Sequence, residues 1–119
     1  MALEKAEKRC EKLKNVSFRN LNFASELPND QFDLIVISEV AYYLSPEDWE
    51  IAILNLLNIL SLHGQVILVH WLPKVHDYPQ TGDEVHDTFR NLMSEKMKNI
   101  FCDRKENYRI DLWEKLISE

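Results

Sequence analysis

Two short segments of this chain concentrate the residue types that can handle protons and grip a polar ligand. Ser38-Glu39-Val40-Ala41-Tyr42-Tyr43-Leu44 follows one aliphatic run, and His70-Trp71 closes another. A carboxylate and an imidazole brought together can move a proton or orient a substrate near neutral pH. Tyr42, Tyr43 and Trp71 would add hydroxyls and flat aromatic walls. The plainer reading of the same residues is a solvated strand end with packed tyrosines and a structural histidine.

A third segment, His76 to His86, is also dense in polar groups. Asp77, Tyr78, Asp83 and His86 suit a loop that lies over strand ends and touches a polar substrate. His70, His76, Asp77, Asp83, Glu84 and His86 are all potential metal ligands. Their spacing matches no metal motif, and Glu84 and His86, two apart on a helix, point to different sides; no metal is expected. Ser38 lacks the glycine-flanked elbow that a hydrolase nucleophile needs.

These residues must be held by an alternation of strands and helices. Leu3, Ala6, Cys10 and Leu13 recur at helical spacing, which predicts a helix over the first fourteen residues or so. Val16 to Leu21 alternates loosely, like a short strand, and Leu27-Pro28-Asn29-Asp30 is a turn. Asp33 to Ser38 is an unbroken aliphatic run, the pattern of a strand covered on both faces of a parallel sheet. Ser45-Pro46-Glu47-Asp48 opens a helix with a capping serine and a proline where its missing N–H costs nothing. Trp49, Ala52, Ile53, Leu56, Leu57 and Leu60 form its buried face, and His63-Gly64 is expected to end it. Gln65 to Trp71 reads as a second buried strand, Thr81 to Glu84 as another helix start, and Ile100–Asp103 with Tyr108–Trp113 as an antiparallel pair. The order indicates one α/β domain over residues 1–119, with helices on the faces of a sheet. Parallel strands at Asp33–Ser38 and Gln65–Trp71 would then deliver Glu39, Tyr42, Tyr43, His70 and Trp71 to one crevice, where open α/β sheets place ligands.

Composition narrows the function. With 14 Lys plus Arg against 20 Asp plus Glu, the net charge is -6. Such a chain grips phosphate backbones poorly, so nucleic acid is not an expected partner. Two distant cysteines, Cys10 and Cys102, suggest neither a disulfide nor a zinc site and fit a reducing, cytoplasmic setting. No apolar stretch reaches the roughly 18 residues of a membrane span.

At Phe32–Pro46 (FDLIVISEVAYYLSP), GQVILVHW, DYPQTGDEVH and YRIDLW the chain resembles the nodulation protein S group of class I S-adenosylmethionine-dependent methyltransferases. The resemblance implies a partial Rossmann-like sheet, the C-terminal half of that fold, with Asp33–Ser38, Gln65–Trp71 and Tyr108–Trp113 as neighbours. It implies S-adenosylmethionine as cofactor, with Asn22, Ser38, Glu39 and Val40 on the cofactor side. Tyr42, Tyr43, Trp71, Asp77, Tyr78, Asp83 and His86 then line the acceptor side, and Glu39 and His70 are the catalytic candidates. The acceptor would be a small molecule or oligosaccharide bearing an amine.

The family's glycine-rich cofactor turn has no counterpart here. The chain holds only Gly64 and Gly82, so it is expected to start after that turn and, by itself, to bind cofactor weakly. A catalytically silent binding module is the competing reading. An Asp33–Ser38 strand without its usual neighbour would expose an edge, and a homodimer is expected through that edge or through N-terminal exchange.

Overall fold

The computed structural model describes residues 2–19, 21, 26, 28 and 30–116. Helix α1 (Ala2–Arg9) opens the chain and is shorter than its apolar spacing predicts. The chain leaves it through a turn in which Leu13 N–H donates to Cys10 O at 2.9 Å. Among the described residues of the span expected to be a strand, Val16–Leu21, none is in a strand; residues 16–19 and 21 are irregular, and Leu13, Val16 and Leu21 stay exposed. Alternating side chains cannot make a strand unless a neighbouring ladder takes its backbone groups. Asn22 lies outside the described residues, so its expected cofactor role has no structural counterpart here.

The remaining elements are β1 (Phe32–Ser38), a 3₁₀ turn at Ala41–Tyr43, α2 (Pro46–Ile59), β2 (Leu60–Trp71), α3 (Gly82–Met93), β3 (Met97–Arg104) and β4 (Tyr108–Lys115). The sheet order is β1-β2-β4-β3. β1 runs parallel to β2, while β4 is antiparallel to both β2 and β3. The three strands expected to be neighbours are neighbours.

Both helix starts read from the sequence are formed. Ser45 Oγ accepts from Asp48 N–H at 3.1 Å to start α2. Thr81 and Glu84 form a reciprocal capping box at α3, with Thr81 N–H on Glu84 Oε1 at 2.8 Å. The end of α2 departs from expectation. Leu60 is already extended and pairs with Phe32, while Ser61 Oγ bonds Phe32 O and Asp33 Oδ1. Those contacts draw Leu60–Gly64 into the sheet and end the helix before His63-Gly64. Gly64 serves close packing instead: a Cβ there would sit 2.7 Å from Ser61 O.

The core lies on one face of the sheet. Trp49, Ala52, Ile53, Leu56 and Leu57 of α2 and Val85, Phe89 and Met93 of α3 pack on Ile37, Val66, Leu68 and Trp113. Trp49 Nε1–H ties the helices together through Val85 O at 2.9 Å. Lys115, buried at the end of β4, donates to Leu57 O and Leu60 O at 2.9 and 2.7 Å. A cation there answers the partial negative charge at the C-terminus of α2. On the opposite face Leu34 and Val36 are exposed, and Ile67, Val69, Ile110 and Leu112 are half-buried.

Gly82 marks where α3 meets the end of β2. A Cβ there would fall 2.4 Å from Trp71 O, a backbone atom that cannot swing aside. Gly82→Ala should therefore cost about 2–3 kcal/mol, at the upper end of overpacking effects. Ser45→Ala, which removes only a cap, should cost about 1 kcal/mol. Urea denaturation of both variants checks the ranking.

Candidate functional site

The site begins where β1 leaves the sheet. Glu39 N–H still follows the parallel ladder, donating to Val69 O at 3.0 Å. In a continued ladder the Glu39 carbonyl would next accept from Trp71 N–H. Glu39 instead adopts a left-handed φ of 56°, and its side chain takes over that bond, with Trp71 N–H on Oε1 at 3.0 Å. Tyr42 OH donates to the same oxygen. A non-glycine residue held at positive φ is uncommon and is concentrated where backbone geometry serves a site. Ser38, Glu39 and Val40 are all exposed at this strand end.

Tyr42, Tyr43 and Tyr78 form an aromatic cluster beside Glu39. Ring centroids lie 5.2 Å apart for Tyr42–Tyr43, 4.7 Å for Tyr42–Tyr78 and 4.6 Å for Tyr43–Tyr78. The hydroxyls of Tyr43 and Tyr78 share a hydrogen bond of 2.9 Å. Tyr42 is buried, and burial followed by its bond to Glu39 pushes its phenol well above the usual range, so it remains a neutral donor. Tyr43 and Trp71 are 55% and 44% exposed and offer open aromatic surface. Asp77 is exposed on the loop that carries Tyr78.

His70 does not face this crevice, which corrects the expectation that it shares an open site with Glu39. Residues of β2 alternate between faces, and His70 falls on the covered one with Val66 and Leu68, fully buried. Both of its ring nitrogens are engaged. Nε2 accepts from Ala41 N–H at 3.2 Å, and Nδ1 lies 3.0 Å from His86 Nε2. His86, expected on the acceptor side, is likewise fully buried, its Nδ1 2.9 Å from Asp111 Oδ2. Asp83, expected beside the acceptor, is half-buried and bonded to Arg104 at 2.7 Å and Arg109 at 3.1 Å. The Arg104 bond, then that of Arg109, hold its carboxyl below the usual range despite partial burial.

Sequence reasoning missed four participants. Arg109 and Asp111 sit on the buried side of β4 and bridge at 3.2 Å, and Arg109 also reaches Asp87 at 2.9 Å. Gln80, buried, donates to Leu44 O at 2.9 Å and to Ala41 O at 3.4 Å, pinning the 3₁₀ turn from the other side. The available signal was the alternation Arg109-Ile110-Asp111, which places two charges on the face shared with Trp113. Charges on the apolar parity of a strand are partnered or functional.

An apolar groove of about 440 Å³ runs along β1, lined by residues that include Leu34, Val36, Val40 and Ile59. It opens beside Ser38–Val40 and could take a flat apolar group. The two glycines cannot help to cradle a ligand, since Gly64 is packed against Ser61 and Gly82 against Trp71.

A sequence model of the family "Nodulation protein S (NodS)" matches residues 1–76. No curated protein is significantly similar. Among solved structures, a candidate methyltransferase from Pseudomonas syringae is 30% identical, with a TM-score of 0.78 over 96% of this chain and 67% of its own length. The N-methyltransferase NodS of Bradyrhizobium japonicum WM9, solved with S-adenosyl-L-homocysteine, is 18% identical, with a TM-score of 0.79 over 96% of this chain. This chain spans 61% of that NodS structure. TehB of Haemophilus influenzae, 15% identical, has a TM-score of 0.71 over 95% of this chain and 45% of its own. At these lower identities the likeness is one of fold.

The buried histidine carries a pH consequence. Burial, reinforced by His86, lowers the His70 imidazole from 6.5 to about 3. The unfolded chain therefore binds a proton that the native chain refuses between those values. Its contribution to stability is fully present above pH 6.5 and is lost as pH falls toward about 3. Thermal melts across that window should show stability falling with acidification, and His70→Gln, which cannot titrate, should flatten the slope.

Proposed function

Because the chain belongs to the nodulation protein S family, we propose that it forms the acceptor side of an S-adenosylmethionine-dependent N-methyltransferase acting on an amine carried by a sugar or oligosaccharide. One observation carries this reading: an exposed carboxylate, Glu39, is held by Trp71 N–H and Tyr42 OH beside open aromatic rings. Both bonds fall on Oε1, so Oε2 is the oxygen that orients the acceptor amine. It also takes the proton released as the nitrogen gains its methyl group. Tyr43, Tyr78 and Trp71 supply flat surfaces on which a sugar ring can lie. The family match and the likeness to an N-methyltransferase favour this enzyme over a silent binding module.

The cofactor, when bound, supplies a methyl group on a positively charged sulfur. Ser38, Glu39 and Val40 are the residues here that would border its methionine end, being exposed at the end of β1. The described residues fit that end only. The apolar groove along β1 offers no acid for the ribose hydroxyls, and neither glycine is placed to let backbone approach a cofactor. The net charge of -6 supports a small-molecule acceptor over nucleic acid. Cys10 and Cys102, both unpaired thiols, support a cytoplasmic setting. Among the described residues no helix is long and apolar enough to cross a membrane.

A homodimer is part of the same proposal. β1 pairs with β2 along one edge, and its Leu34 and Val36 are 53% and 57% exposed. An apolar strand edge without lysine or proline is a template for a second copy.

Methyl transfer to a partly deacetylated chito-oligosaccharide, with the fully acetylated form as control, tests the function once this chain is joined to the cofactor-binding half of a family member. Turnover confined to the free-amine substrate is expected, falling about a hundredfold or more in Glu39→Gln with little change in melting temperature. Unchanged turnover in that variant would leave Glu39 as scaffold. Light scattering during size-exclusion chromatography checks the dimer: twice 14.1 kDa is expected, and substituting Lys for Val36 should return the monomer.

A further inference from the structure

Four groups form one unbroken chain beneath the candidate site: Ala41 N–H, His70, His86 and Asp111. Geometry dictates where every proton in it lies. The Ala41 amide is a fixed donor, so His70 Nε2 must be the bare nitrogen. A neutral His70 then carries its proton on Nδ1 and donates to His86 Nε2. His86 Nε2 is therefore bare as well, and its proton sits on Nδ1, pointing at the Asp111 carboxylate. A doubly protonated His86 would aim an N–H at the proton of His70, so both imidazoles are neutral in this arrangement.

We propose that Asp111 and His86 are positioning residues, which act through His70 to hold the Ala41 amide and so set the Glu39–Tyr43 turn at the mouth of the site. The relay runs from the sheet interior to the functional turn in three bonds. Asp111 is the anchor, itself fixed by Arg109 at 3.2 Å. Burial pushes its carboxyl up, but the bonds from His86 and Cys102 and the charge of Arg109 hold it at about 2. It stays ionised, which keeps the direction of the relay from reversing. The far end is constrained too, since Ala41 is fully buried and its carbonyl accepts from Leu44 N–H and Gln80 Nε2. With Ala41 fixed, Tyr42 is delivered to Glu39 Oε1, and its ring packs at 5.0 Å from that of His70. Neither histidine touches a substrate; each acts on the site through the backbone. The value of the relay to catalysis rests on the methyltransferase reading, but its existence does not.

Two measurements on the chain itself test it, neither using cofactor or acceptor, so their failure is separate from failure of the proposed activity. In nitrogen-labelled histidine spectra at neutral pH, His70 and His86 should both show the Nδ1–H tautomer, opposite to that preferred by free histidine. An Nε2–H tautomer or an imidazolium at either buried site overturns the proposal. Amide exchange supplies the coupling. His70→Phe and Asp111→Asn should each speed exchange at Ala41 about tenfold relative to Leu56 in α2, and His70→Gln, which keeps an acceptor near Nε2, should restore it. Should Asp111→Asn fail to fold, His86→Phe takes its place. Equal acceleration at Ala41 and Leu56, or none at Ala41, reduces Asp111 and His86 to scaffold.

Discussion

A carboxylate sealed inside the sheet, Asp111, governs the organisation of one end of this molecule. Removing an ionised group from water is costly unless charge and hydrogen bonds replace the lost hydration. Here that replacement comes from three elements at once. Arg109, two residues away on the same face of β4, supplies the countercharge. His86 reaches down from α3 at 2.9 Å, and Cys102 on β3 adds a weaker bond that, ahead of burial, pushes its own thiol up. β4 therefore has to sit between β3 and β2 and under α3, in the register that brings His70 opposite Arg109 and Leu68 opposite Asp111.

Arg109 extends the arrangement outward. Its guanidinium is buried yet meets Asp83 and Asp87 on the first turns of α3, and Arg104 meets Asp83 from β3. Two acids near a helix N-terminus are also favoured by the helix dipole. The same residues thus start α3, clamp it across the β3–β4 hairpin and balance the buried charge. One consequence is that Asp83, expected at the acceptor, is committed to structure. Another is that the exposed part of the site is small: Glu39 and Tyr43 stand on a turn held from beneath by His70 and Gln80, with Trp71 and Tyr78 beside it.

Much of the architecture was legible in the chain. The aliphatic run at Asp33–Ser38, the Ser45-Pro46 start and the Thr81–Glu84 box each encode local structure through short-range physics, and each is found where the residues placed it. The strand order followed from a family resemblance spread over several motifs. The errors share a cause. The extension of β2 back to Leu60 depends on contacts of Leu60 and Ser61 with Phe32 and Asp33, far away in sequence. The strand expected at Val16–Leu21 had the alternation but no ladder. For the site, the neighbourhood of Glu39, Tyr42, Tyr43 and Trp71 was correctly gathered at one strand end, whereas His70 and His86 were placed at its surface and lie beneath it.

The sequence by itself determined which residues start helices, which runs become strands and which polar side chains gather at the strand ends. Those properties depend on neighbours within a few positions and on the two-residue alternation of a strand. The sequence did not determine that β1 would be covered on one face only, with Leu34 and Val36 exposed on the other. Tertiary structure alone decided which face of β2 is covered. That choice turns His70 from a candidate proton carrier into a link between Ala41 and His86. It also alone decided that Asp111 would be buried, because alternation puts a residue on one face or the other without saying which face the helices will take. A histidine reads the same in sequence whether it meets a substrate or a second histidine. Only packing from α3 distinguishes the two, by removing water from one side of the sheet and leaving it on the other.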